Sequence, residues 1–219
     1  MVSKYKVLYI DDDPTEIRDV IRSLEKTEEL EVRGFVVKND TSFNEVSVVL
    51  DEGDFDYLLV DYMLNEKTGW GKDGNEVLEW FLDRYPHFPA IVVTSNEMRA
   101  LQEVDNIDAE KIRSKSEYDE DGGDSFVTRI VSKVKRYRAS VEEAENRVLE
   151  LKEKADAAEL SAPEADDYVK FDRFLQETLG GKVVNIPDDI IYRNEGKLNS
   201  LLEKTDKLIA MIRENEKVS

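Results

Sequence analysis

What most constrains this chain is an alternation of short, almost wholly apolar runs with amphipathic helical stretches. The runs are Val7-Leu8-Tyr9-Ile10, Val32 to Val37, Tyr57-Leu58-Leu59-Val60 and Ala90-Ile91-Val92-Val93, with a weaker fifth at Lys111-Ile112-Arg113-Ser114. A strand covered on one face alternates apolar with polar residues, whereas nearly continuous apolar character marks a strand covered on both. Between the runs lie Pro14 to Lys26, with Ile17, Val20, Ile21 and Leu24 at helical spacing, then Ser42 to Leu50, Gly74 to Tyr85 and a short stretch near Met98 to Val104. Pro14 suits the first helical position, where a missing N–H costs nothing. Parallel strands need crossover connections, so the pattern predicts an α/β, doubly wound parallel sheet ending at about Tyr137.

Beyond Gly122-Gly123 the period changes. Phe126, Ile130 and Val131 set a helix against the sheet. Val134, Tyr137, Val141, Ala144, Val148, Leu151, Ala155 and Ala158 then continue at 3-4 spacing. This heptad seam predicts one helix running to about Leu160, with Pro163 marking its break. Two further helices are expected, Ala165 to Thr178 and about Asn194 to Glu214, while the form of 180–189 is left open. The expected division is therefore a domain over 1–137 and an all-helical extension over 138–219. The seam suits either a homodimer through the 134–158 helix or an intrachain bundle formed as a hairpin with the 194–214 helix.

Composition narrows the function. The 31 Lys and Arg face 50 Asp and Glu, a net charge of −19. Such an excess repels phosphate backbones and anionic lipid. Residues 138–219 carry 13 basic and 19 acidic side chains, with no basic face, so no DNA partner is expected. With no cysteine there is neither disulfide nor thiolate metal site, and His87 alone makes a multi-histidine site impossible. No apolar run approaches membrane-spanning length and the first residues lack a signal-peptide core, so a cytoplasmic location is expected, with no membrane partner.

The chemistry gathers at strand ends. Asp11, Asp12 and Asp13 follow the first strand, Asp61 ends the third, Thr94 and Ser95 close the fourth and Lys115 follows the fifth. In an open parallel sheet the carboxyl ends share one edge, where ligands bind. Converging carboxylates need a cation, and Mg²⁺ fits an all-oxygen set. Carboxylates, a hydroxyl and an ammonium around one metal are the parts phosphoryl transfer uses, with Asp61 as nucleophile.

The run from Lys6 through Asp11-Asp12-Asp13 to Pro14, Tyr57 to Asp61, Asp73-Gly74, Ile91 to Ser95, and Lys115 together resemble the receiver domain of two-component response regulators, over roughly residues 4–137. The resemblance implies a flavodoxin-like five-stranded sheet of order 2-1-3-4-5. It implies Mg²⁺ held by Asp11, Asp12, Asp61 and the backbone carbonyl of Met63, with Asp12 a direct ligand. Asp61 would take its phosphoryl group from a sensor histidine kinase or phosphotransfer protein. Lys115 would pair with one phosphoryl oxygen and Thr94 would swing to another, moving the face of the fourth and fifth strands. The chain departs from the pattern in having Ser116 where Pro is usual and Ile112 where an aromatic switch residue is common. Its loop from Tyr62 to Lys72 is also longer, and Trp70 within it is expected either as a lid or partner contact or as loop packing. The expected function is a non-enzymatic phosphorelay protein with a helical output. The alternative is a receiver-fold adaptor that is never phosphorylated. A phosphohydrolase would need an acid or base two residues after Asp61, where Met63 stands.

Overall fold

Apolar residues covered on both sides make the strands. The computed structural model describes residues 4–65, 70–95, 100, 108–118, 123–157 and 160–178. The elements are β1 (Tyr5–Asp11), α1 (Pro14–Leu24), β2 (Leu30–Val36), α2 (Phe43–Glu52), β3 (Tyr57–Asp61), α3 (Gly74–Arg84), β4 (Ala90–Thr94), β5 (Ile112–Ser114), α4 (Asp124–Ala157) and α5 (Ala162–Thr178), with 3₁₀ turns at Ala109–Lys111 and Lys115–Tyr118. All strand pairs are parallel and the sheet order is β2-β1-β3-β4-β5. This is the flavodoxin-like doubly wound fold, as expected. No helix among the described residues is long and apolar enough to cross a membrane.

The alternation of side chains along each strand divides the core in two. Val7, Tyr9, Tyr57, Leu59, Ile91 and Val93 face a cluster completed by Ile17, Leu24, Phe126 and Ile130. Leu8, Ile10, Leu58, Val60, Ala90 and Val92 face the opposite cluster, with Val46, Val77, Leu78 and Phe81. Each fully buried aliphatic side chain stabilises the fold by about 1.5–3 kcal/mol, so apolar continuity along β1, β3 and β4 is what the two-sided cover requires.

Caps set the helix starts. Asp13 accepts the Thr15 N–H at 2.8 Å, with Pro14 first in α1. Ser42 and Glu45 exchange hydrogen bonds in a capping box ahead of α2. The stretch expected near Met98 to Val104 and the helix expected over Asn194 to Glu214 lie outside the described residues, Ala100 apart.

The chain divides into two compact units between Val141 and Glu142, within α4. In the second unit Arg147 pairs with Asp167 at 3.1 Å and Lys154 with Glu164, so this part of α4 and α5 are bridged within one chain. Ala144, Val148 and Leu151 of the seam are buried within that chain, while the 194–214 helix expected as the seam's hairpin partner lies outside the described residues. One boundary differs from expectation. The described part of α4 ends at Ala157, and α5 begins at Ala162 where Ala165 was expected, so Pro163 lies in the first turn of α5, just after the break. The cause is Ser161, whose N–H and hydroxyl both donate to Glu164, at 2.9 and 2.6 Å, starting the helix just ahead of the proline.

Candidate functional site

Ile10 of β1 pairs in register with Val60 of β3, so Asp11 and Asp61 leave the sheet side by side at its carboxyl edge. Asp11 is 1% exposed and Asp61 4%, with Asp12 buried beside them. One carboxylate oxygen from each of Asp11, Asp12 and Asp61 lies within 4.8 Å of the others. Lys115 begins the turn after β5 and reaches past the tip of β4. Its Nζ stands 2.6 Å from Asp61 Oδ1, 3.1 Å from Asp11 Oδ2 and 3.8 Å from Glu16 Oε2.

Backbone donors fix the carboxylates. The Asp13 N–H donates to Asp11 Oδ1 at 2.8 Å, and the Met63 N–H donates to Asp61 Oδ2 at 2.8 Å. Asp61 pairs with Val93 in register, and the Tyr62 N–H donates to the Val93 carbonyl at 2.8 Å. Thr94, one residue further, is buried at this same edge. Gly74 at the start of α3 has a separate reason. A Cβ there would stand 1.9 Å from the Asp61 carbonyl oxygen, so only glycine lets the helix close on the strand end.

Burial pushes the Asp61 carboxyl up, the Lys115 ammonium pulls it back and Asp11 pushes it up again, leaving it near 6, against an ordinary 3.8. Burial lowers the Lys115 ammonium, but Asp61 and Asp11 outweigh it and hold the group above its ordinary value. The buried cluster sets the three aspartates Asp11, Asp12 and Asp61 against one ammonium, Lys115. The donor set is oxygen throughout and over-negative, which fits a hard divalent cation such as Mg²⁺.

Sequence reasoning thus named Asp11, Asp12, Asp61, Thr94 and Lys115, and the fold gathers them at one edge. Met63 enters through its N–H. Two contributors escaped it. Tyr9 donates its hydroxyl to Asp11 Oδ2, and Glu16 faces Lys115 from the first turn of α1. The i, i+2 spacing of Tyr9 and Asp11 on one strand face was the available signal. Trp70 packs at the start of α2: its Nε1 donates to the Thr41 carbonyl at 2.6 Å and its ring stacks on Phe43. Ile112 is buried in β5, pairing in register with Val92, and Ser116 follows Lys115 through a trans peptide bond.

A parallel sheet of this order with an acidic cluster and a lysine at its carboxyl edge is the arrangement that the sequence resemblance implies. No protein-family model and no curated protein sequence matches the chain. Several of the solved structures it is similar to are described as signal receivers or response regulators. The signal receiver domain of an HD domain-containing protein from Pseudomonas fluorescens Pf-5 is 13% identical, covering 63% of this chain and 99% of its own, with a TM-score of 0.46. DrrB of Thermotoga maritima, an OmpR/PhoB homologue, is 18% identical, covering 61% of this chain and 54% of its own, with a TM-score of 0.42. The RcsB response regulator of Salmonella typhimurium, studied for its DNA interaction, is 18% identical, covering 87% of this chain and 98% of its own, with a TM-score of 0.45. The fold itself is defined by the strand order.

Proposed function

We propose that this chain is a phosphorelay signalling protein in which Asp61 accepts a phosphoryl group. The observation that carries the reading is the buried Asp61 carboxylate, 2.6 Å from the Lys115 ammonium and clustered with Asp11 and Asp12. In the transfer, an Asp61 oxygen attacks phosphorus on a kinase or phosphotransfer-protein phosphohistidine. An O–P bond forms, the N–P bond breaks and the electron pair leaves with the imidazole. Met63 N–H holds the other Asp61 oxygen, which fixes the direction of attack. Lys115 balances charge growing on the phosphoryl oxygens, and the Thr94 hydroxyl is the donor proposed for another of them. Asp11, Asp12, Asp61 and the Met63 carbonyl would hold Mg²⁺, which when bound supplies the missing positive charge. The protein is read as a stoichiometric acceptor, not a turnover enzyme. Its output is read as contact made by the helical region, and the acidic balance of 138–219 favours a protein partner over DNA.

Beryllium trifluoride, which adds to a carboxylate oxygen as a phosphoryl stand-in, tests this with Mg²⁺. Tryptophan fluorescence should change on addition, and Asp61→Asn should abolish the change. No response of the unaltered chain at saturating Mg²⁺ favours the alternative, a receiver-fold adaptor. The buried Ile112 at the usual switch position is the feature that supports that second reading.

A further inference from the structure

Three carboxylates face Lys115, Asp61 and Asp11 closer than Glu16, and the structure shows what tilts the contest between the two closer ones. Asp11 Oδ1 takes the Asp13 N–H, while Asp11 Oδ2 takes both the Tyr9 hydroxyl and Lys115. Each carboxylate oxygen accepts about two hydrogen bonds, so Oδ2 is filled. Asp61 Oδ1 has no such neutral donor among the described residues, and the ammonium stands closer to it, 2.6 Å against 3.1 Å. The Tyr9 ring is wholly buried on the sheet face shared with Tyr57, Ile91 and Phe126. Its hydroxyl has no water to turn to, and Asp11, two residues along the same strand face, is the acceptor it uses.

We propose that Tyr9 is a positioning residue of the acceptor site: by giving its hydroxyl to Asp11 Oδ2 it weakens that oxygen's hold on Lys115 and keeps the ammonium on Asp61. The proposal rests on the phosphoryl-acceptor reading above. It assigns a buried core aromatic to the ordering of the site, with no contact to the phosphoryl group itself.

The same cluster supplies a matched control. Tyr118 is also buried and packs edge-on against Phe126, with ring centroids 4.9 Å apart, but its hydroxyl has no hydrogen-bond partner among the described residues. Tyr9→Phe and Tyr118→Phe thus remove the same atom from the same core, and only the first touches Asp11. In the full chain at saturating Mg²⁺, beryllium trifluoride affinity measured by calorimetry should fall about tenfold in Tyr9→Phe, the worth of one buried hydrogen bond. It should be unchanged in Tyr118→Phe. In an Asp11→Asn background, where the Asp11 charge no longer competes for Lys115, Tyr9→Phe should add no further loss. Equal affinity in Tyr9→Phe and the unaltered chain overturns the proposal. So does an equal loss in both phenylalanine variants, or a full loss persisting with Asn at position 11. Absence of beryllium trifluoride binding in the unaltered chain would instead remove the acceptor reading itself.

Discussion

Asp61→Asn should make the metal-free protein more stable at neutral pH. Burial holds the Asp61 carboxyl near 6 in the folded chain, against 3.8 when free, with Lys115 only partly opposing. Below 3.8 both folded and unfolded chains carry the proton and the group contributes nothing. Between 3.8 and about 6 the folded chain keeps a proton that the unfolded chain has lost, so stability falls as pH rises. Above that window the cost is complete, and at about 1.4 kcal/mol per pH unit it amounts to about 3 kcal/mol. Asparagine keeps the shape and removes the charge, but its single oxygen can accept from Lys115 or from the Met63 N–H and not from both. Of that cost about 2 kcal/mol should be recovered, or roughly 5 °C in Tm for a chain of this size. The assay is urea and thermal unfolding in EDTA at about pH 4.5 and about pH 7.5, with the gain present at the higher pH and small at the lower. A variant no more stable than the unaltered chain at the higher pH, or one whose gain is the same at both, would refute the reasoning.

Other consequences follow from the same geometry. Mg²⁺ at a hundredfold excess over its dissociation constant should stabilise the unaltered chain by about 2.7 kcal/mol, and Asp12→Asn should erase most of that gain in a thermal melt. Lys115→Met leaves buried carboxylates without their ammonium and should cost about 3–5 kcal/mol at neutral pH. That loss should shrink in acid, where Asp61 takes up a proton. Gly74→Ala drives a Cβ to 1.9 Å from the Asp61 carbonyl oxygen. Urea denaturation should show a loss of about 3 kcal/mol, because backbone must move to admit it.

Much of this was legible in the sequence because two-sided cover leaves a blunt mark. The runs at Leu58-Leu59-Val60 and Ile91-Val92-Val93 have no solvent face, and both are strands. β5 was faint because it is three residues long and carries Arg113. The site was legible for a related reason: residues that end neighbouring parallel strands must meet, so Asp11, Asp61 and Lys115 could be placed by position alone. What escaped depends on close approach in space. Tyr9 reads as one more strand aromatic until its hydroxyl is seen on Asp11, and periodicity cannot separate a proline that ends one helix from one that opens the next. At Pro163 the deciding signal was Ser161 with Glu164, a cap that the heptad seam upstream obscured.

Whether Asp61 takes a phosphoryl group is tested most directly by intact-mass analysis after incubation with acetyl phosphate and Mg²⁺. One alkali-labile phosphoryl adduct per chain is expected, mapping to Asp61 and lost both in Asp61→Asn and in EDTA. An unmodified chain, or an adduct that persists in Asp61→Asn, would contradict the account.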